Sequence, residues 1–281
     1  MKIEERENSV FLEGVKDFEP VHIFDCGQCF RWDVSEDGSY TGVAGGKAVN
    51  ISKNGDCVTI KNTTKAEFEE FWSKYLDLDF DYGELKKTLS EDEVLAQAIK
   101  SGEGIRILNQ DLWECIISFI ISANNNIPRI KKIIENLCKN FGNQISCGND
   151  VFYEFPDADT ISKLSVEQLD VIKSGFRAKY IIDAAQKVSS GEIDLNSIYN
   201  MNTNDAREYL KQIKGVGNKV ADCILLFAYQ KYDVFPKDVW IKKVLFELYG
   251  VEESQFDEFV INHFGDLAGF AQQYLFYYMR G

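Results

Sequence analysis

The sequence predicts an α+β fold, an N-terminal antiparallel β-sheet domain followed by a mainly α-helical region that contains a helix-hairpin-helix motif. Three observations predict it. Apolar and polar residues alternate in short runs up to about residue 60, apolar residues recur at helical spacing from about residue 90 onward, and two helical runs meet at Gly215-Val216-Gly217. With 281 residues, 45% of them hydrophobic and 27% charged, the chain is long enough for two or three units with filled cores, and it is globular rather than disordered.

Residues 1–88 read as the sheet domain, with strand-like runs at 21–24, 30–32, 40–43, 48–51 and 57–60 and turns at Glu36-Asp37-Gly38 and Asn54-Gly55-Asp56. Residues 89–281 read as the helical region. Ser90 with Glu93 has capping-box spacing and Gly102 is a stop signal. Helical period then runs through 111–124, 127–141, 165–173 and 177–189, while residues 142–155, rich in Asn, Ser and Gly, read as a loop. The helix-hairpin-helix spans about 205–231 and a loop carrying Asp238 spans 235–240. There is no internal repeat.

Composition excludes several classes of function. The longest apolar segment, about 112–123, contains Glu114 and is too short to cross a bilayer, and the opening MKIEERENSV is unlike a signal peptide. A cytoplasmic protein without a membrane partner is expected. Seven cysteines, odd in number and irregularly spaced, argue for free thiols. Cys26-x-x-Cys29 suggests zinc or redox chemistry, but no second pair follows at finger spacing and His22 and His263 are isolated, so no metal site is expected.

The chemistry concentrates at the hairpin. Its glycines permit positive φ and close approach, and they expose backbone N–H groups at a helix N-terminus, where the dipole favours a phosphate. An ordinary helix connector with a C-cap glycine fits the turn equally well. Lys219, on the first turn of the second helix, adds an amine beside that phosphate position, and partial desolvation favours the neutral, nucleophilic form of an amine. Asp238 follows nineteen residues later, after Pro236. A carboxylate there can stabilise an oxocarbenium-like transition state or handle a proton. A surface lysine and a plain helix-capping aspartate are the alternatives, and capping is compatible with catalysis.

The run LKQIKGVGNKVADCILLFAY with FPKDVW resembles the helix-hairpin-helix glycine/proline-aspartate superfamily of DNA glycosylases, and GVGNKVADC is similar to the eukaryotic-type 8-oxoguanine DNA glycosylase/lyases. Four further segments resemble that family in its own order: GQCFRW from Gly27, NNNI with Arg129 from Asn124, GFRAKY from Gly175, and GFAQ through Phe276 from Gly269. The resemblance implies a bifunctional base-excision-repair enzyme that removes 8-oxoguanine, preferably opposite cytosine, from double-stranded DNA through a lysine Schiff base. A glycosylase for another damaged base and a non-catalytic DNA-binding hairpin protein are the alternatives.

Position by position, the resemblance makes Lys219 and Asp238 catalytic. It makes Cys223 and Phe276 the faces of a pocket for the flipped base, Gln272 the reader of its Watson–Crick edge, and the carbonyl of Gly27 the sensor of the proton that oxidation adds at N7. Arg129 and Arg177, with Asn124 nearby, would meet the estranged cytosine, Phe176 would be the wedge, and the amides around Gly215 and Gly217 would hold phosphate. No organic cofactor is implied. A monovalent cation at the hairpin carbonyls is implied, and no iron–sulfur cluster, because no cysteine follows Asp238. A monomer is expected.

Two departures stand together: Trp240 replaces a usual histidine at the phosphate, and Met279 replaces its acidic partner. A less polar phosphate contact, through the Trp240 indole N–H, is the expected substitute. The net charge of −14 is unfriendly to DNA, but it is uneven. Residues 205–243 hold eight Lys/Arg against five Asp/Glu, whereas residues 61–93 hold five against ten, so a mildly basic DNA face is expected at the motif.

Overall fold

Alternating side chains close the first sixty residues into a six-stranded antiparallel sheet in the computed structural model, which describes residues 1–147 and 150–281. The strands are β1 (Lys2–Arg6), β2 (Ser9–Glu13), β3 (Trp32–Val34), β4 (Tyr40–Ala44), β5 (Lys47–Asn54) and β6 (Cys57–Lys61), in the order β1-β2-β6-β5-β4-β3. Register puts Val10 opposite Ile60, Leu12 opposite Val58 and Ile60 opposite Ile51, so a fully buried apolar row crosses three strands. Both predicted turns form, with Gly38 at φ +80° and Gly55 at φ +62°.

Helix α1 (Pro20–Phe24) precedes β3, and the helical stretch 65–75 follows β6 as α2 (Lys65–Glu67), one π turn and α3 (Ser73–Tyr75). Phe68 and Trp72 from that stretch join the sheet's core, where Trp32 Nε1 donates to Tyr75 Oη at 2.9 Å. Then come α4 (Tyr82–Leu89), α5 (Glu93–Ser101), α6 (Leu112–Ser122) and α7 (Ile127–Phe141). A hairpin of β7 (Gln144–Cys147) and β8 (Asp150–Tyr153) leads to α8 (Ala158–Ser162), α9 (Val166–Leu169), α10 (Ala178–Ser189), α11 (Thr203–Leu210), α12 (Asn218–Tyr229), α13 (Val239–Glu247), α14 (Phe256–His263) and α15 (Ala268–Arg280).

Two helices form the spine of the helical region. α6 buries every residue from Cys115 to Ile121 and α12 every residue from Val220 to Tyr229, and the two pack against each other. A helix apolar on all sides can only be interior. α15, also buried from Ala268 to Leu275, packs on α5 and α13. Among the described residues no helix is long and apolar enough to cross a membrane.

Several local expectations change. Residues 21–24 form a helix rather than a strand, started by Pro20 in its first turn with Ile23 and Phe24 both buried. The strand expected at 30–32 begins only at Trp32. β1 and β2, absent from the sequence reading, are an edge hairpin whose outer strand KIEER is charged, as a protected edge should be. Ser90 ends α4 instead of starting α5; the carboxylate of Asp92 takes the Leu95 N–H at 2.7 Å and is the cap. Most of the loop expected at 142–155 is the β7–β8 hairpin, with residues 148 and 149 outside the described residues.

One buried ion pair ties these units together. Arg31, just before β3, donates to Glu114 Oε2 at 3.0 Å and to the Tyr153 carbonyl, joining sheet, α6 and β8. Burial pushes the Glu114 carboxyl up and Arg31 opposes the push. Removing the arginine strands a buried charge. Arg31→Met is expected to cost about 3 kcal/mol in urea unfolding at pH 7, and Arg31→Met with Glu114→Leu should recover most of that loss.

Candidate active site

The hairpin between α11 and α12 is built by one carboxylate. Asp183 on α10 accepts the Lys214 backbone N–H at 2.9 Å and pairs with the ammonium groups of Lys214 at 3.1 Å and Lys187 at 3.3 Å. Burial works to raise the Asp183 carboxyl, yet these donors hold it below its ordinary value. Gly215 lies at φ +87°, and a Cβ there would meet Tyr180 Cδ2 at 2.6 Å, so only glycine fits both conformation and space. Gly217 faces open space, and the first backbone bond of α12 runs from Ala221 to its carbonyl. The N–H groups of residues 218–220 therefore point outward at a positive helix end.

Lys219 stands on that first turn, half-buried, with its Nζ 5.6 Å from the Phe119 ring centre. Cys223 is one helical turn further on and 4% exposed. Burial pushes its thiol up to about 11; Lys219 opposes this, while the carboxylates of Asp222 and Asp238 add to it. The three groups Lys219, Cys223 and Asp238 thus share one electrostatic neighbourhood. The Arg207–Asp222 pair at 2.6 Å locks α11 to the other side of α12. A groove of about 960 Å³ reaches Lys219 and mixes charges, with Arg207, Lys237 and Lys242 facing it beside Glu208, Asp222, Asp233, Asp257 and Asp266.

Asp238 caps α13. Its Oδ1 accepts the N–H groups of Trp240 at 3.0 Å and Ile241 at 2.9 Å, and the buried Pro236 precedes it in the loop. Both of these hydrogen bonds fall on Oδ1. Two consecutive helix N-termini, of α12 and α13, therefore carry the amine and the carboxylate. Trp240 is 42% exposed at the second of them, whereas Met279 is half-buried against the core.

Of the residues expected to form the base pocket, Gly27 and Phe276 bring the two ends of the chain into contact. Gly27 has φ +80°, and a Cβ added to it would lie 2.9 Å from Phe276 Cε1, so the turn lies directly against that ring. Gln272, on the same helix as Phe276, is 5% exposed and its Oε1 is buried without a partner among the described residues. A buried orphan acceptor costs about 1–3 kcal/mol unless something fills it.

The residues expected opposite the lesion also gather. Asn124 adopts φ +50° after α6, Arg129 is exposed on α7, and Phe176 is 54% exposed with the Arg177 guanidinium 4.4 Å from its ring centre. Arg177 itself is buried. It donates to the Ala123 carbonyl at 3.0 and 2.6 Å and to the Asn124 carbonyl at 2.8 Å, so in the free protein its donors are already engaged. Cys26 and Cys29 are free buried thiols, and among the described residues no group of three or more His, Cys, Asp or Glu is placed to hold a metal ion.

Sequence reasoning missed the buried amides of Gln28 and Gln273 and the part-buried amide of Gln110, which surround the Gly27 turn. The available signal was the second glutamine in GFAQQYLF, a polar side chain on a face otherwise apolar. Asp183 was missed too. Because its folded carboxyl is depressed, its stabilisation should be complete above the ordinary carboxylate range and lost as pH falls through the lower folded value. Urea unfolding of wild type and Asp183→Asn should accordingly differ at pH 7, with the gap closing towards pH 3.

Comparison with known proteins fits this geometry. Residues 10–116 match the 8-oxoguanine DNA glycosylase, N-terminal domain, and residues 117–267 match the HhH-GPD superfamily base excision DNA repair protein. A probable N-glycosylase/DNA lyase of Methanothermobacter thermautotrophicus is 31% identical over 227 residues, covering 73% of this chain and 72% of that protein. The structure of MBOgg1 in complex with a low affinity DNA ligand superposes with a TM-score of 0.97 at 49% identity, over 99% of this chain and 98% of that one. The Clostridium acetobutylicum 8-oxoguanine glycosylase/lyase, in complex with double-stranded DNA containing cytosine opposite 8-oxoguanine, gives 0.96 at 46% identity over 100% and 98%. With an N-terminal domain of the 8-oxoguanine glycosylase type joined to this hairpin, the chain belongs to the HhH-GPD superfamily of base excision DNA repair proteins.

Proposed function

We propose that this chain is a bifunctional 8-oxoguanine DNA glycosylase and β-lyase acting on double-stranded DNA. The observation that carries the reading is that the Lys219 amine, on the first turn of α12, and the Asp238 carboxylate, capping α13, both act on the buried Cys223 thiol. With the lesion flipped out, the Lys219 amine attacks C1′. The N–C1′ bond forms as the glycosidic bond breaks, the base leaves with the bonding electrons, and the Asp238 carboxylate stabilises the positive charge on the sugar. The displacement leaves a cyclic aminal; loss of the amine proton and cleavage of the C1′–O4′ bond, with O4′ taking up a proton, open the sugar to a Schiff base, which acidifies the 2′ proton, and loss of that proton expels the 3′ phosphate.

Recognition follows from the same pocket. Phe276 and Cys223 cover the faces of the base, the Gln272 amide meets its Watson–Crick edge, and the Gly27 carbonyl accepts the N7 proton that guanine lacks. Arg129 and Arg177 serve the estranged cytosine beside Asn124 and the Phe176 wedge; for Arg177 this requires exchanging a carbonyl bond it makes in the free protein. Phosphate lies on the amides around Gly215 and Gly217 and against Trp240. A monovalent cation at the hairpin carbonyls belongs to this proposal, as do a monomeric state, a cytoplasmic place of action and the absence of any iron–sulfur cluster.

Lys219→Gln should abolish both base release and borohydride cross-linking while lesion binding persists, and Asp238→Asn should slow release by about 100-fold or more with a much smaller effect on affinity. Rapid single-turnover release by the second variant would leave Asp238 as a helix cap only.

Arg129→Ala should erode the preference for cytosine over adenine opposite the lesion by about 1–3 kcal/mol, the usual worth of a base-specific contact. Equal losses opposite both bases would make Arg129 a phosphate or structural residue.

A further inference from the structure

Glycine at positive φ is the least restrained residue a chain contains, yet a carbonyl that senses one proton must not turn away. If the Gly27 carbonyl rotated, it would escape repulsion from the N7 lone pair of guanine, and discrimination would be lost. Something outside the glycine has to fix it.

The structure supplies two anchors, one on each side. Before Gly27, the Cys26 carbonyl accepts from Gln273 Nε2 at 2.9 Å. After it, the Gln28 carbonyl accepts from Gln110 Nε2 at 2.7 Å. The Gln28 side chain, fully buried, donates to the carbonyls of Ile23 at 2.9 Å and Arg106 at 2.8 Å and accepts the Leu108 N–H at 2.9 Å. The peptide groups on both sides of the sensor are thus fixed by side-chain amides, that of Gln273 buried and that of Gln110 part-buried. Gln273 is 2% exposed and adjoins Gln272 on α15, so one helix carries the proposed edge reader, a wall of the pocket and the clamp.

We infer that Gln273, with Gln28 and Gln110, is a positioning residue that sets discrimination between 8-oxoguanine and guanine by holding the Gly27 carbonyl in place. The inference rests on the 8-oxoguanine reading above. Gln273 touches no reacting atom. Its effect is on the difference between two bases, because a fixed acceptor attracts a donor and repels a lone pair, whereas a loose one does neither.

The test uses the full chain carrying Lys219→Gln, expected to bind without cutting, and three duplexes with guanine, 8-oxoguanine or a tetrahydrofuran abasic analogue opposite cytosine. Gln273→Met keeps the side-chain length and removes the donor. The expected result is a roughly tenfold fall in the ratio of 8-oxoguanine to guanine affinity with abasic affinity unchanged, beside the fall in melting temperature that an unpaired buried Cys26 carbonyl brings. An unchanged ratio, or equal losses on all three duplexes, overturns the inference while leaving the 8-oxoguanine reading intact. If the Lys219→Gln parent does not prefer 8-oxoguanine at all, the functional reading fails and the inference with it. Should Gln273→Met not fold, Gln110→Met releases the second anchor, and the same fall in ratio is required of it.

Discussion

A turn at residue 27 lies against a helix that begins at residue 268, and a buried amide hydrogen bond holds them together. Everything said about recognition depends on that contact. The Gly27 turn belongs to the chain that feeds the sheet, and Phe276 and Gln272 belong to the last helix. Unlike an apolar contact, the Gln273 to Cys26 bond fixes direction as well as distance. Its loss would leave two buried polar groups unpaired, so the cost of breaking it favours one geometry. The Arg31–Glu114 pair does comparable work at another junction of the same two units.

The hairpin solves a different problem. A chain of net charge −14 needs a local route to a polyanion, and the backbone supplies one that no count of charged side chains reveals. Asp183 takes up two lysines and a backbone N–H to shape the turn, and the outward amides of α12 beside it are the proposed phosphate site. Helix burial then aims the chemistry. Because α12 is interior along nearly its whole length, Lys219 on its first turn stands where the core meets solvent.

The sequence made the helical half legible wherever apolar period and caps agreed. The helix at 127–141 was read to the residue, and Asp111 and Asp238 each sit immediately before a helix that they cap. It was misleading where tertiary context overrode local pattern. Residues 21–24 look like a strand because Ile23 and Phe24 are apolar, but Pro20 and burial of that pair turn them into a helix. The first strand was hidden by its charge at a sheet edge, and the hairpin after α7 by its polar residues, whereas the second strand, SVFLE, carries the alternation openly and was overlooked. At the site, motif residues were visible as types at a spacing. Their supports were harder to see: Gln273 shows only as a polar residue on an otherwise apolar helix face, and nothing local marks Asp183 as the partner of a turn 31 residues away.

The account stands or falls on which amine meets the sugar. Lys214, Lys237 and Lys242 all lie on segments near the motif, so reactivity alone does not identify Lys219. Borohydride reduction of the wild-type protein during turnover of 8-oxoguanine DNA, followed by proteolysis and mass spectrometry, locates the reduced sugar adduct on one residue. The account predicts an adduct on Lys219 and nowhere else. An adduct on another lysine or on the N-terminal amine, with Lys219 unmodified, would contradict it.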